Sequence, residues 1–184
     1  CLPLLSGNVL YHWSDMELDR FFGIDLTSEL DNGTTSQQMW NLLNEKVSRL
    51  TPKDIIGVFN VEYLSPCATF GEDISVYDGL DKICPSLRGD DGTNVTLKTV
   101  ETLGVLTGEK ITSLTQYINS LEKRIVDFKT SGCRFSDHAV DDGFMFFADD
   151  GKNDGRFETV LSGKMLGSED SAKLYCYVLT KLCC

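Results

Sequence analysis

Few residue types in this 184-residue sequence could do chemistry, and their spacing limits which chemistry that is. There are only two histidines, His12 and His138. So far apart, they offer no local pair of histidine metal ligands. Cysteines stand at positions 1, 67, 84, 133, 176, 183 and 184, without a CxxC pair. A zinc knuckle or a disulfide framework is therefore unsupported. Cys133 has no base placed beside it and reads as a small buried residue rather than a nucleophile. Arg88 is followed by Gly89 and two aspartates, Asp90 and Asp91. With 28 acidic residues against 17 basic ones, the net charge is -11. Such a surface repels phosphate backbones, so nucleic acid is not expected as a partner. A small anion would have to be met by individually placed cations, which directs attention to single arginines such as Arg88.

The elements that must position these groups follow from composition and pattern. Hydrophobic residues make up 41% of the chain and charged ones 24%, inside the globular range. A domain of this length can bury about 70% of its unfolded surface. No apolar run approaches the ~18 residues of a membrane span, and no signal-peptide pattern is seen, so a cytoplasmic protein is expected. Two Asn-x-Thr triplets, at Asn32 and Asn94, carry weight only if the chain is secreted.

Ser14 and Glu17 have the form of a capping box and predict a short helix closed by Phe21, Phe22 and Gly23. After a polar loop holding Asn32-Gly33, Met39, Leu43, Val47 and Leu50 recur at helical spacing, with Trp40 and Leu42 widening the buried stripe. Thr51-Pro52 starts another helix that ends near Phe59. Strands are expected at Asn60 to Leu64, at Lys82 to Leu87 and at Cys133 to Ser136. The clearest element is a helix from about Thr112 to Thr130, terminated by Gly132. Asp149 to Gly155 reads as loop, and Leu174 to Leu182 as a terminal helix. Alternation of helix and short strand predicts a parallel α/β fold.

Three segments carry a resemblance. Residues 8–24, NVLYHWSDMELDRFFGI, are similar to a stretch NPLYHWxHLELxRxFGI of the uronate isomerases, a family of the amidohydrolase superfamily. Residues 84–90, CPSLRGD, resemble a PSWRPD segment at the end of barrel strand 3. Residues 132–141, GCRFSDHAVD, resemble GCxxSDHxxD around strand 4. The resemblance implies a partial (β/α)8, TIM-type barrel segment, helix-rich with a few short parallel strands. It divides the chain into a helical insertion segment over 1–50, barrel strands 2 to 4 with connecting helices over 51–148, and a loop and terminal helix over 149–184.

Active-site groups of such barrels project from the carboxyl ends of strands. The resemblance therefore implies Arg88 as the substrate-binding residue, its guanidinium gripping a carboxylate. It implies Asp137 and His138 as catalytic, the imidazole orienting a sugar hydroxyl or moving a proton. His12 and Trp13 lie outside the barrel strands, where packing or a lid contact is expected. The activity implied is aldose-ketose isomerisation of D-glucuronate to D-fructuronate, or of the galacturonate pair. The partners implied are a sugar-acid substrate and the remainder of the barrel or another chain.

The sequence also departs from the family pattern. The divalent metal of the family, zinc or manganese, is held by a His-x-His pair and an aspartate that this sequence lacks, so none is expected to be bound by this chain alone. At strand 2 the family's TTDDP aligns with residues 66–70, PCATF, and both acids are gone. The competing expectation is therefore a non-catalytic descendant or fragment that keeps the scaffold as a binding or structural module.

Overall fold

Caps and prolines decide where the elements begin. A computed structural model describes residues 4, 7–140 and 144–183 of the chain, which divides into two compact units, Cys1–Glu62 and Tyr63–Cys184. In the first unit, α1 spans Val9–Phe22, with the Asn8 side chain accepting from the Leu10 amide and Gly23 ending the helix at φ 64°. Helix α1 starts before the expected Ser14, which lies inside it, because Asn8 already provides the extended, hydrogen-bonding cap. The expected loop around residue 30 contains a further helix, α2 (Leu26–Asp31), capped by Asp25.

Helices α3 (Ser36–Val47) and α4 (Pro52–Val58) both open on capping boxes, Thr35 with Gln38 and Thr51 with Asp54. Ile24, Leu26 and Met39 form the centre of this unit, with Tyr11, Leu18, Phe22, Leu42 and Leu43 around them. Trp40 does not widen the buried stripe: it is 64% exposed. One residue past Met39 turns the side chain about 100° around the helix, off the apolar face.

The expected strand over Asn60–Leu64 does not form. Asn60 sits at φ 49°, in the left-handed region, which breaks an extended path. Only Leu64 takes part in pairing, as a single parallel bridge to Ile83.

The second unit holds a three-stranded parallel sheet in the order β1 (Cys67–Thr69), β2 (Ser86–Arg88), β3 (Ser136–Asp137). Strands β1 and β2 start just after a proline, Pro66 and Pro85, which lacks the donor for a ladder bond. The Pro66 carbonyl still accepts from the Ser86 amide at 2.9 Å. Strand β3 begins later than the expected Cys133, since the Cys133 amide is bonded back to the Phe128 carbonyl at 3.0 Å to close the preceding helix.

A 3-10 turn (Ile74–Tyr77) follows β1. Helices α5 (Asp90–Thr93), α6 (Leu97–Thr107) and α7 (Leu114–Thr130) lie between β2 and β3, and α8 (Asn153–Leu161) and α9 (Ser168–Cys183) complete the described chain. Helix α7 bears out the apolar face read over Thr112 to Thr130, and Gly132 follows it at φ 87°. Its Tyr117, Leu121 and Phe128 pack with Ala68, Phe70 and Leu87 of the sheet region and with Phe157, Leu174 and Val178.

Several polar groups inside the unit are paired, whereas Ser65 Oγ, His138 Nδ1 and the Tyr175 hydroxyl are buried without a partner among the described residues. The Tyr117 hydroxyl donates to the Gly92 carbonyl at 2.8 Å. Arg124 donates to the carbonyls of Phe70 and Glu72, fixing the turn that leaves β1. The expected loop over Asp149 to Gly155 gives way to α8 from Asn153 onward, because Arg156 is buried and holds Asp150, Asn153 and Asp170 together. No helix among the described residues is long and apolar enough to cross a membrane.

Candidate functional site

The parallel register brings Thr69, Arg88 and Asp137 into one row across the sheet: Thr69 is the partner of Arg88, and Arg88 of Asp137. Register partners in a sheet project to the same face. All three are the last residues of their strands, so the row lies at the carboxyl edge. Arg88 Nη1 donates to Asp137 Oδ2 at 2.8 Å, and Arg88 Nε donates to Asp90 Oδ2. Asp90 first, and Asp137 after it, hold the guanidinium more firmly protonated than usual.

His138 follows Asp137 directly and covers the backbone of Gly89. A Cβ built on Gly89 would lie 2.0 Å from His138 Cε1, so no larger residue fits there unless the ring moves. His138 Nδ1 is buried and without a partner among the described residues. The three residues singled out in the sequence, Arg88, Asp137 and His138, are thus gathered at two adjacent strand ends.

Sequence reasoning missed Asp90 and Asp91 as members of this construction. Asp90 Oδ1 accepts the Ala139 amide at 2.8 Å while Oδ2 takes Arg88. Asp91 accepts the amides of Phe70 and Gly71, each at 3.1 Å, and so ties the exit of β1 to that of β2. The signal was their position just beyond a strand end, but two consecutive acids after a glycine also fit a solvated turn. Cys67 Sγ lies 3.9 Å from Asp137 Oδ1, a weak contact at most. His12 and Trp13 are exposed on α1, in the other unit. Asp141, the last residue of the segment over 132–141, lies outside the described residues.

Beside the row, a cleft of about 610 Å³ is lined by Asp90, Asn94, Ala139, Phe144, Tyr175 and Cys176, among others. It is large enough for a small-molecule ligand. A structural or catalytic metal needs three or more protein donors around one point. Among the described residues no such group of His, Cys, Asp or Glu side chains is gathered. The residues at hand therefore do not fit a divalent ion, and no chemical step is derived through one.

Three parallel strands in sequence order, with helices α5 to α7 between β2 and β3 and polar groups at the carboxyl edge, match a segment of a (β/α)8-type barrel. The profile of the glucuronate isomerase family matches residues 1–184, and the chain belongs to that family. It is 34% identical to the uronate isomerase of Caldicellulosiruptor saccharolyticus, over 97% of this chain and 40% of the relative. It is 30% identical to that of Bacillus subtilis, over 99% of this chain and 41% of the relative. The crystal structure of uronate isomerase from Thermotoga maritima superposes with a TM-score of 0.79 at 22% identity, covering 98% of this chain and 42% of that one. Glucuronate isomerase from Caulobacter crescentus gives 0.75 at 15% identity, covering 97% and 39%. The chain thus spans about two fifths of the length of these relatives, and it carries the barrel-segment fold the sequence had implied.

Proposed function

We propose that the whole protein interconverts an aldose and a ketose sugar acid, D-glucuronate with D-fructuronate or the galacturonate pair, and that Arg88, Asp137 and His138 form the substrate-facing portion of its site. The observation that carries this reading is the direct Arg88 to Asp137 ion pair, with His138 beside it, at the carboxyl edge of the parallel strands of a glucuronate isomerase family member.

The isomerisation needs a proton taken from one carbon and returned to its neighbour, and a second one moved between oxygens. Asp137 Oδ2 is engaged by Arg88, while Oδ1 meets only the distant Cys67 sulfur among the described residues. That oxygen is free to accept a proton. Arg88 uses Nε and Nη1 on carboxylates, and Nη2 has no partner among the described residues. Through Nη2 it would meet the substrate carboxylate or a hydroxyl. His138 would orient a sugar hydroxyl. The divalent metal implied by the family resemblance would be held by groups outside the described residues, supplied by the remainder of the barrel or another chain. For the domains, we propose a helical insertion over 1–50, barrel strands 2 to 4 over 51–148, and a loop and terminal helix over 149–184.

One observation favours a second reading, a non-catalytic descendant. Strand β1 presents Cys67, Ala68 and Thr69 where the family pattern carries two acids, and the cluster of Arg88, Asp90 and Asp137 sums to a charge of about -1 with both acids ionised, which opposes an anionic substrate. Turnover of glucuronate by the protein, measured with added zinc or manganese, separates the two. Conversion supports the isomerase, and its absence from a folded protein supports the binding module.

A further inference from the structure

We infer that Asp90 is a positioning residue of this site: it fixes the direction of the Arg88 guanidinium and the path of the chain through His138. The inference rests on the isomerase reading for its kinetic consequence, and on geometry alone for its structural one. Both carboxylate oxygens of Asp90 are engaged, each with a different strand end. Oδ2 takes Arg88 Nε at the end of β2, and Oδ1 takes the Ala139 amide just beyond β3, at 2.8 Å. One side chain therefore joins the end of β2 to an amide 49 residues further along the chain than Asp90 itself.

Asp137 completes the arrangement from the other side, through Arg88 Nη1 at 2.8 Å. A guanidinium held at Nε and Nη1 cannot rotate about its long side chain, so Nη2 keeps a fixed direction. The Ala139 bond acts on the neighbouring residue. It holds the backbone just past His138, whose ring already lies against Gly89 with no space for a Cβ. Asp90 also borders the cleft of about 610 Å³, together with Ala139 and Tyr175. It is thus placed between the ligand space and the groups proposed to act on the ligand, touching the second through hydrogen bonds.

Asp90→Asn isolates this role, since an amide of the same shape offers one acceptor oxygen where two donors now bind. Either Arg88 or the Ala139 amide must then lose its partner. The protein labelled with nitrogen-15 arginine and alanine is followed by NMR, with Arg88 assigned through the signal lost in Arg88→Lys and the Ala139 amide through the signal lost in Ala139→Gly. In the unsubstituted protein the Arg88 Nε proton is expected to exchange slowly and to resonate away from the free-arginine position; in Asp90→Asn it moves to that position, or the Ala139 amide loses its protection. Kinetically, kcat/KM for glucuronate is expected to fall about 100-fold, mostly through KM, as for a misdirected substrate anchor. Fast exchange of the Arg88 Nε proton in the unsubstituted protein overturns the inference whether or not the variant folds. So does an unchanged Arg88 signal and Ala139 amide in a folded variant. A shifted signal in a protein that never turns over glucuronate supports the positioning role and counts against the isomerase reading.

Discussion

Arg88 and Asp137 are register partners on adjacent parallel strands, and their side chains meet in a 2.8 Å ion pair at the carboxyl edge of the sheet. Backbone pairing and side-chain chemistry thus define the same point. Charge at this point is exposed enough to be weak as a stabilising pair, since Arg88 and Asp137 side chains are 40% and 38% accessible. Its value lies in orientation. Arg88→Ala and Asp137→Asn should each lower thermal stability only slightly while abolishing most sugar-acid turnover. Paired calorimetry and isomerase assays check this.

Gly89→Ala should push the His138 ring out of its position. The new Cβ would stand 2.0 Å from Cε1, but the obstacle is a ring at the end of a rotatable side chain. The ring can turn away, so the stability cost should stay near 1 kcal/mol, within the usual range for overpacking. The His138 ring resonances should move clearly, and activity should fall with them. Unchanged ring shifts would contradict the close approach.

Arg156→Ala should destabilise the second unit by about 3 kcal/mol, because a buried cation is removed from three partners that it alone joins. Denaturant unfolding measures the loss. Replacement by Lys should recover only part of it, since the two-pronged contact with Asp150 needs a guanidinium.

The same pair predicts a pH dependence. Hydrogen bonding from Arg156 holds the Asp150 carboxyl well below the usual aspartate range. A carboxyl depressed in the folded state gives stability that is present above its unfolded pKa, ~4, and is lost as pH falls below that value. Acid unfolding followed by circular dichroism should therefore begin at lower protein stability, and flatten, in Asp150→Asn relative to the unsubstituted protein.

Tyr117→Phe should cost about 1–2 kcal/mol with no change of fold, because it leaves the buried Gly92 carbonyl unpaired. Equilibrium unfolding in urea reads this directly.

Much of this arrangement was legible in the sequence, for reasons that differ by element. Helix α7 could be read because its apolar face repeats over seventeen residues. The caps at Thr51 and Gly23 were legible because they are local. Strands of two or three residues carry too little alternation to place. What set them was Pro66, Pro85 and the closure of α7 by Cys133, each shifting a strand by a few positions. Helices α6 and α8 escaped notice because threonines and glycines in α6, and acidic residues before α8, look like loop until Thr96 caps the one and Arg156 gathers the other. Arg88, Asp137 and His138 were found through the two short segments that contain them. Asp90 was not, since its role depends on Ala139 across the sheet, a relation no local spacing displays.

The central claim is that this strand-end cluster serves sugar-acid isomerisation. It is tested most directly by following D-glucuronate conversion to D-fructuronate by proton NMR, with zinc or manganese present, for the whole protein and for its Asp137→Asn variant. Turnover that falls by about 100-fold or more in the variant is the predicted result. Equal turnover in the two proteins, or none in the folded unsubstituted protein, would contradict it.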